Sequence, residues 1–365
     1  MKTISQIIAG AQALLAVSYD LSGCFEEHLS DDYKTFLHML RVIEEQTPAL
    51  LRSYAGTGRI PYQYTPFVRS FLAKGYFGIE KTSQLIQRLK GEPNLRLLCG
   101  FTDVPGKATF SRALAFLSEQ GILEQTLDRI VSTAHKDLVV YHVNRDSTAI
   151  PARERVVKKP GKKGSKHGKK RGRPAKNAPK VLKEPTVIEK QAKQDAQTSL
   201  EGIDRECAWG CKKNSEGNVS FWKGYKLHLD VSDTGFPLTA VVTGANVHDS
   251  QLAIPMEQLT EKKVPFCYSL MDSAYDCKTI DEYIRSRGRI PIIDPNKRKD
   301  NDRPPLDPAK QERYKIRTTV ERANSHLKDS LIPRSLYVKG YKKVSFVLMS
   351  AVICLAALKY LQLFI

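Results

Sequence analysis

The stretch YKIRTTVERANSHLKD, residues 314 to 329, sets Tyr314, Arg317, Glu321 and Lys328 at spacings of three, four and seven. At about 100° per residue of helix these four positions, with Asn324, fall within an arc of roughly 80°. The neighbouring arc is apolar and carries Ile316, Val320, Leu327 and Leu331. A single carboxylate among cations has two readings. It is a solvated, salt-bridged helix face, or a face on which Glu321 does chemistry with other carboxylates. Company for Glu321 decides between them.

Two candidates stand at expected strand ends. LVVYHVNRD, residues 138 to 146, is β-branched and largely apolar, as a central strand is, and Asp146 ends it. PFCYSLMD is a second short apolar run, ending at Asp272. Where strands run parallel, their adjacent ends are where α/β sheets place ligands. Glu321 is on a helix able to pack across that edge. Three carboxylates brought together repel one another unless a divalent cation lies among them, and hard oxygen ligands suit magnesium or manganese. Two such ions about 4 Å apart serve in-line attack on a phosphodiester: one activates water or a 3′-hydroxyl, the other stabilises the leaving oxygen. Asp137 and Asp276 are second choices for the first and second acids. His248 and Asp249 read as support for the site or as a structural turn.

The elements that must position these residues fall into four parts. Residues 1–135 read as a helical domain: DDYKTFLHMLRVIEE has a capped start and helical spacing, and TSQLIQRLKG runs from a Thr82 or Ser83 cap to Gly91. KATFSRALAFLSEQGILEQTLDRIVSTA breaks at Gly121. That break is expected either to make a helix-turn-helix placing Lys107, Ser111 and Arg112 at DNA, or to join two packed helices with no such role. Residues 136–154 begin an α/β domain. Residues 155–220 form a basic insert, expected to be disordered when free as far as about residue 205. Residues 221–365 complete the α/β domain. Within them YKLHLDVSDTGFPLTAVVTG is a hairpin, followed by helix, strand, helix stopped at Gly288, the strand IPII, and two further helices. The order gives a mixed sheet with helical crossovers.

The 365 residues carry a net charge of +19. The run from Arg155 to Lys183 holds 13 Lys or Arg and no Asp or Glu, so its removal would leave +6. Such a block attracts a polyanion, above all nucleic acid, by counterion release. Inside it Arg171-Gly172-Arg173-Pro174 resembles an AT-hook. Gly172 removes the Cβ that would block groove entry and Pro174 fixes an extended backbone, so that Arg171 and Arg173 can lie along a narrow A·T minor groove. A generic phosphate-binding tract is the plainer reading. The seven cysteines are scattered and odd in number, which fits a reducing cytosol rather than a disulfide framework. Cys207 and Cys211 make at most half a zinc site. The start, MKTISQIIAGAQALLAVS, reads as an amphipathic helix rather than a signal peptide. The end, VSFVLMSAVICLAALKYLQLFI, is long enough to span a bilayer, but Lys359, Gln362 and its small residues favour a buried helix.

Taken together these segments resemble the DDE transposases of the IS4/IS5 insertion-sequence type. Tyr314, Arg317, Glu321 and Lys328 match that family's Tyr-x2-Arg-x3-Glu-x6-Lys signature throughout. NRDSTAI and MDSAYD carry Asp146 and Asp272 where the family has its first and second acids, and LCGFTDVPGKATFSRAL resembles its N-terminal helical region. The resemblance implies a ribonuclease H-like catalytic domain. It implies Asp146, Asp272 and Glu321 as ligands of two Mg2+ or Mn2+ ions, and phosphate contacts from Arg317 and Lys328. Tyr314 would hold the strand by hydrogen bonding or stacking. Its partners would be double-stranded DNA, the terminal inverted repeats of its own element, and a second copy of the chain on DNA, in a bacterial cytoplasm and with no membrane. A non-transposing nuclease with the same domain, or a catalytically inactive DNA-binding protein, are the alternatives. Intact acids argue against the latter, and a requirement for two repeat ends separates the former. The basic insert departs from the family, where some relatives carry a large β-rich insertion.

Overall fold

A computed structural model describes residues 26, 28–48, 62–157, 184–213, 216–296 and 305–364. The described part of the helical region comprises α1 (Asp31–Gln46), α2 (Thr65–Tyr76), α3 (Thr82–Gly91), α4 (Pro93–Cys99), α5 (Lys107–Leu117) and α6 (Ile122–Ala134). Asp31 and Asp32 put carboxylates in the first turn of α1, where the helix dipole favours them. Gly121, at φ +59°, makes the left-handed break between α5 and α6 at no steric cost.

The chain then enters β1 (Val140–Pro151). Two short helices, α7 (Val187–Gln191) and α8 (Ala196–Glu201), precede β2 (Ala208–Lys213), β3 (Val219–Val231) and β4 (Pro237–Gly244). Helix α9 (Ala253–Glu261), β5 (Phe266–Met271), α10 (Lys278–Ser286) and β6 (Ile290–Ile293) follow. The described chain closes with α11 (Pro308–Tyr314), α12 (Thr318–His326) and α13 (Tyr341–Phe364). The sheet order is β2-β3-β1-β5-β6, with β4 also on β3. Pairing is antiparallel from β2 to β1 and for β3 with β4, and parallel from β1 through β5 to β6. This is a mixed α/β fold consistent with the ribonuclease H-like expectation.

Three expectations need correction. The first strand does not end at Asp146 but runs on to Pro151, because β3 continues to pair with it after β5 has stopped. Residues expected to be disordered to about 205 are folded from Thr186 on: Thr186 caps α7, Asp195 caps α8, and β2 adds an edge strand to the sheet inside the expected insert. The polar face of residues 314–329 is not one helix. It is α11, a 3-10 turn at Lys315–Arg317, α12, and a π-helical turn at Leu327–Leu331. Ile316 is consequently only half-buried, while Val320, Leu327 and Leu331 are buried as expected.

Helix α13 is long and apolar enough to cross a membrane by length and composition, yet 72% of that stretch is buried inside the protein. It packs on α1, α2 and α6 and on β4. The helical region and the sheet therefore share one apolar core, which reaches from Phe36 and Phe71 through Val352 to Leu229 and Leu238. Burying such a surface is the main favourable term in holding the two layers together.

Candidate active site

The parallel ladder between β1 and β5 pairs Val140 with Phe266 and Asn144 with Leu270, a constant offset of 126. Two residues further along, the same offset sets Asp146 beside Asp272. There β5 has ended, so the edge of β1 opens just where its carboxylate emerges. Asp272 begins the next turn, its side chain accepting the Ala274 N–H at 2.9 Å. That fixes the carboxylate against the sheet edge.

Helix α12 crosses β1 and β3. It brings Glu321 and Arg317 to this edge, and the guanidinium of Arg317 joins all three acids. Its Nη1 donates to Glu321 Oε1 at 2.6 Å and its Nη2 to Asp146 Oδ1 at 3.1 Å, and Nη2 lies 4.0 Å from Asp272 Oδ2. Asn324 Nδ2 donates to the other Asp146 oxygen at 3.1 Å. Arg317 Nε and Asn324 Oδ1 are buried and have no partner among the described residues.

Burial pushes the Asp146 carboxyl up to about 6, against the pull of Arg317, and the charges of Asp272 and Asp249 add to the rise. Burial also raises Asp272. Glu321 stays largely in solvent. Tyr314 is half-buried, pushed up to about 12 by burial, and within electrostatic reach of Arg317, Asp272 and Glu321. Lys328 is exposed on the π-helical turn, its ammonium lowered by partial burial and by Lys212, with Asp146 acting in the opposite direction. Thus Tyr314, Arg317, Glu321 and Lys328 gather with Asp146 and Asp272 despite the breaks in the helix.

Other expected residues lie elsewhere. Asp137 is exposed in the loop before β1, and Asp276 accepts the Asn296 N–H at 2.9 Å. Lys107 and Arg112 are exposed on α5, in the helical layer rather than at the acids. Arg171, Arg173 and the N-terminal amphipathic stretch lie outside the described residues. Cys207 is buried and Cys211 exposed, and among the described residues no group of His, Cys, Asp and Glu forms a metal cluster.

The three acids are not such a cluster either; a guanidinium stands between them. The donor set nevertheless fits a hard divalent cation: it is all carboxylate oxygen, it is partly desolvated, and it already gathers around a cationic group. Asp146, Asp272 and Glu321 would hold it, and Arg317, whose charge they now share, would compete with it.

Asp249, read from the sequence as support for the site or as a structural turn, is joined by two groups that were not evident there. Asp249 pairs with Lys226 at 2.8 Å and bonds Ser147, next to Asp146. His228 is fully buried, bonds Thr243 at 2.9 Å, and is lowered by burial to about 4. Beneath Asp146, Arg145 makes a two-pronged pair with Asp230, at 2.7 Å for each prong, and reaches Glu257 at 3.3 Å. Arg289 closes this network on Glu257 at 3.1 Å. At the start of β1, Arg313 lies over Tyr268, which stacks on His142, and His142 meets Asp233 at 2.6 Å. This clamp seats α11, and with it Tyr314, on the sheet. The signal that could have found the buried network is Arg145 itself, a charge in an apolar strand, directly opposite Asp230 in the antiparallel register.

Two family models match the chain. One, described as Transposase DDE domain, matches residues 186–357; the other, described as Transposase domain (DUF772), matches residues 25–115. Asp272 and Glu321 lie inside the first match and Asp146 precedes it. Neither a curated protein nor a solved structure matches significantly.

Proposed function

We propose that this chain, which carries the two domains of a DDE transposase of the insertion-sequence type, cuts the ends of its own DNA element and joins them to new DNA. The observation that carries the reading is the meeting of Asp146, Asp272 and Glu321 around one cationic group at an open sheet edge. In this reading the three acids hold a pair of Mg2+ or Mn2+ ions. Bound there, such ions supply the charge that activates water or a 3′-hydroxyl and stabilises the leaving oxygen.

The chain's own residues do the rest. Asp146 is held by its pairing with β3 and Asp272 by the turn it begins, so their separation costs little reorganisation when DNA arrives. Glu321 comes from a helix and closes the set from the other side. Arg317, released from the acids, has a planar fork suited to a phosphate of the strand being cut. Lys328 adds a point charge beside it, and Tyr314 holds the strand by hydrogen bond or stacking. Arg171 and Arg173 would grip flanking A·T-rich duplex, and Lys107 and Arg112 would contact the element's ends. A dimer on DNA, a cytoplasmic location and membership of the IS4/IS5 group belong to the same proposal.

The test is a DNA fragment bearing two copies of the terminal inverted repeat, incubated with the chain and Mg2+. Transposition requires cleavage at the repeat ends and joined products that depend on both copies. Cleavage that ignores the repeats would make the chain a general nuclease instead.

A further inference from the structure

Helix α12 has a second polar face, about 100° to 160° around from Glu321, that carries Thr319, Arg322 and His326. A cavity of about 210 Å³ opens there between α12, the β3–β4 turn and α13, lined by Thr234, Gly235, Thr319, Arg322, His326 and Lys359. Three of these side chains are basic and none of the lining residues is a carboxylate. Arg322 makes no ion pair or hydrogen bond among the described residues. Lys359 bonds Gln362 at 2.9 Å and lies close against Gly235: a Cβ on that glycine would be 3.8 Å from its Nζ. Thr319 is more than nine-tenths buried, and its hydroxyl has no partner among the described residues.

Cations gathered without a counter-charge repel each other, and a bound anion relieves that repulsion. Burial, and then the Lys359 charge, hold His326 below its usual range, with Asp329 the acidic group opposing them. We propose that this pocket binds a phosphate group. Arg322 supplies the planar donor fork, Lys359 the point charge, and the Thr319 hydroxyl a neutral donor at the wall. Because the pocket faces away from Glu321, a backbone phosphate held here belongs to a DNA segment other than the one at the acids. That second half rests on the transposase reading; phosphate binding itself does not.

The experiment compares the full-length wild type with Arg322→Gln/Lys359→Gln and Thr319→Val. One arm titrates inorganic phosphate and follows the thermal midpoint at fixed ionic strength. The other measures binding to a random-sequence duplex across a NaCl series. Phosphate should raise the wild-type midpoint, raise that of Thr319→Val less, and leave the double variant unmoved. On duplex, the double variant's salt slope should be shallower by about 1, the value for one lost phosphate contact. If phosphate protects the wild type alone and the slopes are equal, the site is a phosphate site for a free anion and the DNA half fails. If phosphate protects neither and the slopes agree, the proposal is overturned. Arg322 is exposed, so Arg322→Gln alone keeps both arms available should the double variant not fold. Loss of repeat-end cleavage would leave the phosphate arm untouched, so the two readings fail separately.

Discussion

Arg317 Nη2 stands 3.1 Å from Asp146 Oδ1, tying the first strand of the sheet to a residue 171 positions further along the chain. The same guanidinium holds Glu321 at 2.6 Å. Arg317 is thus the internal counter-ion of the acidic cluster.

Removing it should expose that role. Arg317→Ala leaves three carboxylates uncompensated, so the metal-free variant should melt below the wild type and gain more from added Ca2+. A site filled at a hundred times its Kd adds about 2.7 kcal/mol. Thermal midpoints with and without Ca2+ read this directly, without any cleavage. Equal Ca2+ shifts in the two proteins would mean that Arg317 does not compete with the ion.

The buried network under Asp146 should be costly to break on one side only. Arg145 is 1% exposed and Asp230 0%. Arg145→Ala strands the charge of Asp230 and leaves Glu257 to Arg289 alone, and the loss should be about 3 to 5 kcal/mol in urea unfolding. A loss under about 1 kcal/mol would show that these carboxylates take up protons or are served by Arg289 once Arg145 is gone.

His228 gives the protein an acid-labile element. Its folded value, about 4, lies below the ordinary 6.5. The unfolded chain therefore binds this proton more readily, and stability falls as pH drops from about 6.5 to 4, by on the order of 3 kcal/mol. Asp146, raised to about 6, acts with the opposite sign below that pH. The comparison that isolates His228 is the wild type against His228→Gln: the variant should lose less stability on acidification. Parallel pH profiles would remove His228 from the explanation.

The basic run should act on DNA through Arg171 and Arg173. Arg171→Ala/Arg173→Ala should lower the preference for A·T-rich over G·C-rich duplex and leave general, salt-sensitive binding from the lysines. Competition binding at two salt concentrations measures both. An unchanged preference would reduce the segment to a nonspecific clamp.

How much of this was legible in the sequence depends on how local each feature is. The spacing of Arg317, Glu321 and Asn324 survives because each local turn still carries these residues to one side, even though 3-10 and π-helical turns break the helix. Asp146 and Asp272 were recognisable as charges closing apolar runs, but their adjacency comes from the β1–β5 register, which no local pattern contains. Strand β2 was missed because AWGCKK neither alternates nor follows a turn signal, and it is a strand only because β3 pairs with it. The Arg145–Asp230 pair and the Arg317 bridge are contacts between distant segments and became visible only in three dimensions.

The most direct test of the central claim is cleavage of a repeat-end duplex in Mg2+ by Asp146→Asn, Asp272→Asn and Glu321→Gln, with duplex binding measured alongside without metal. Each variant removes one ligand charge and should lose strand cleavage by at least about 100-fold, or roughly 2.7 kcal/mol of barrier, while still binding the duplex. A folded variant of any of the three that cleaves near the wild-type rate would contradict the assignment of that residue and the three-acid site with it.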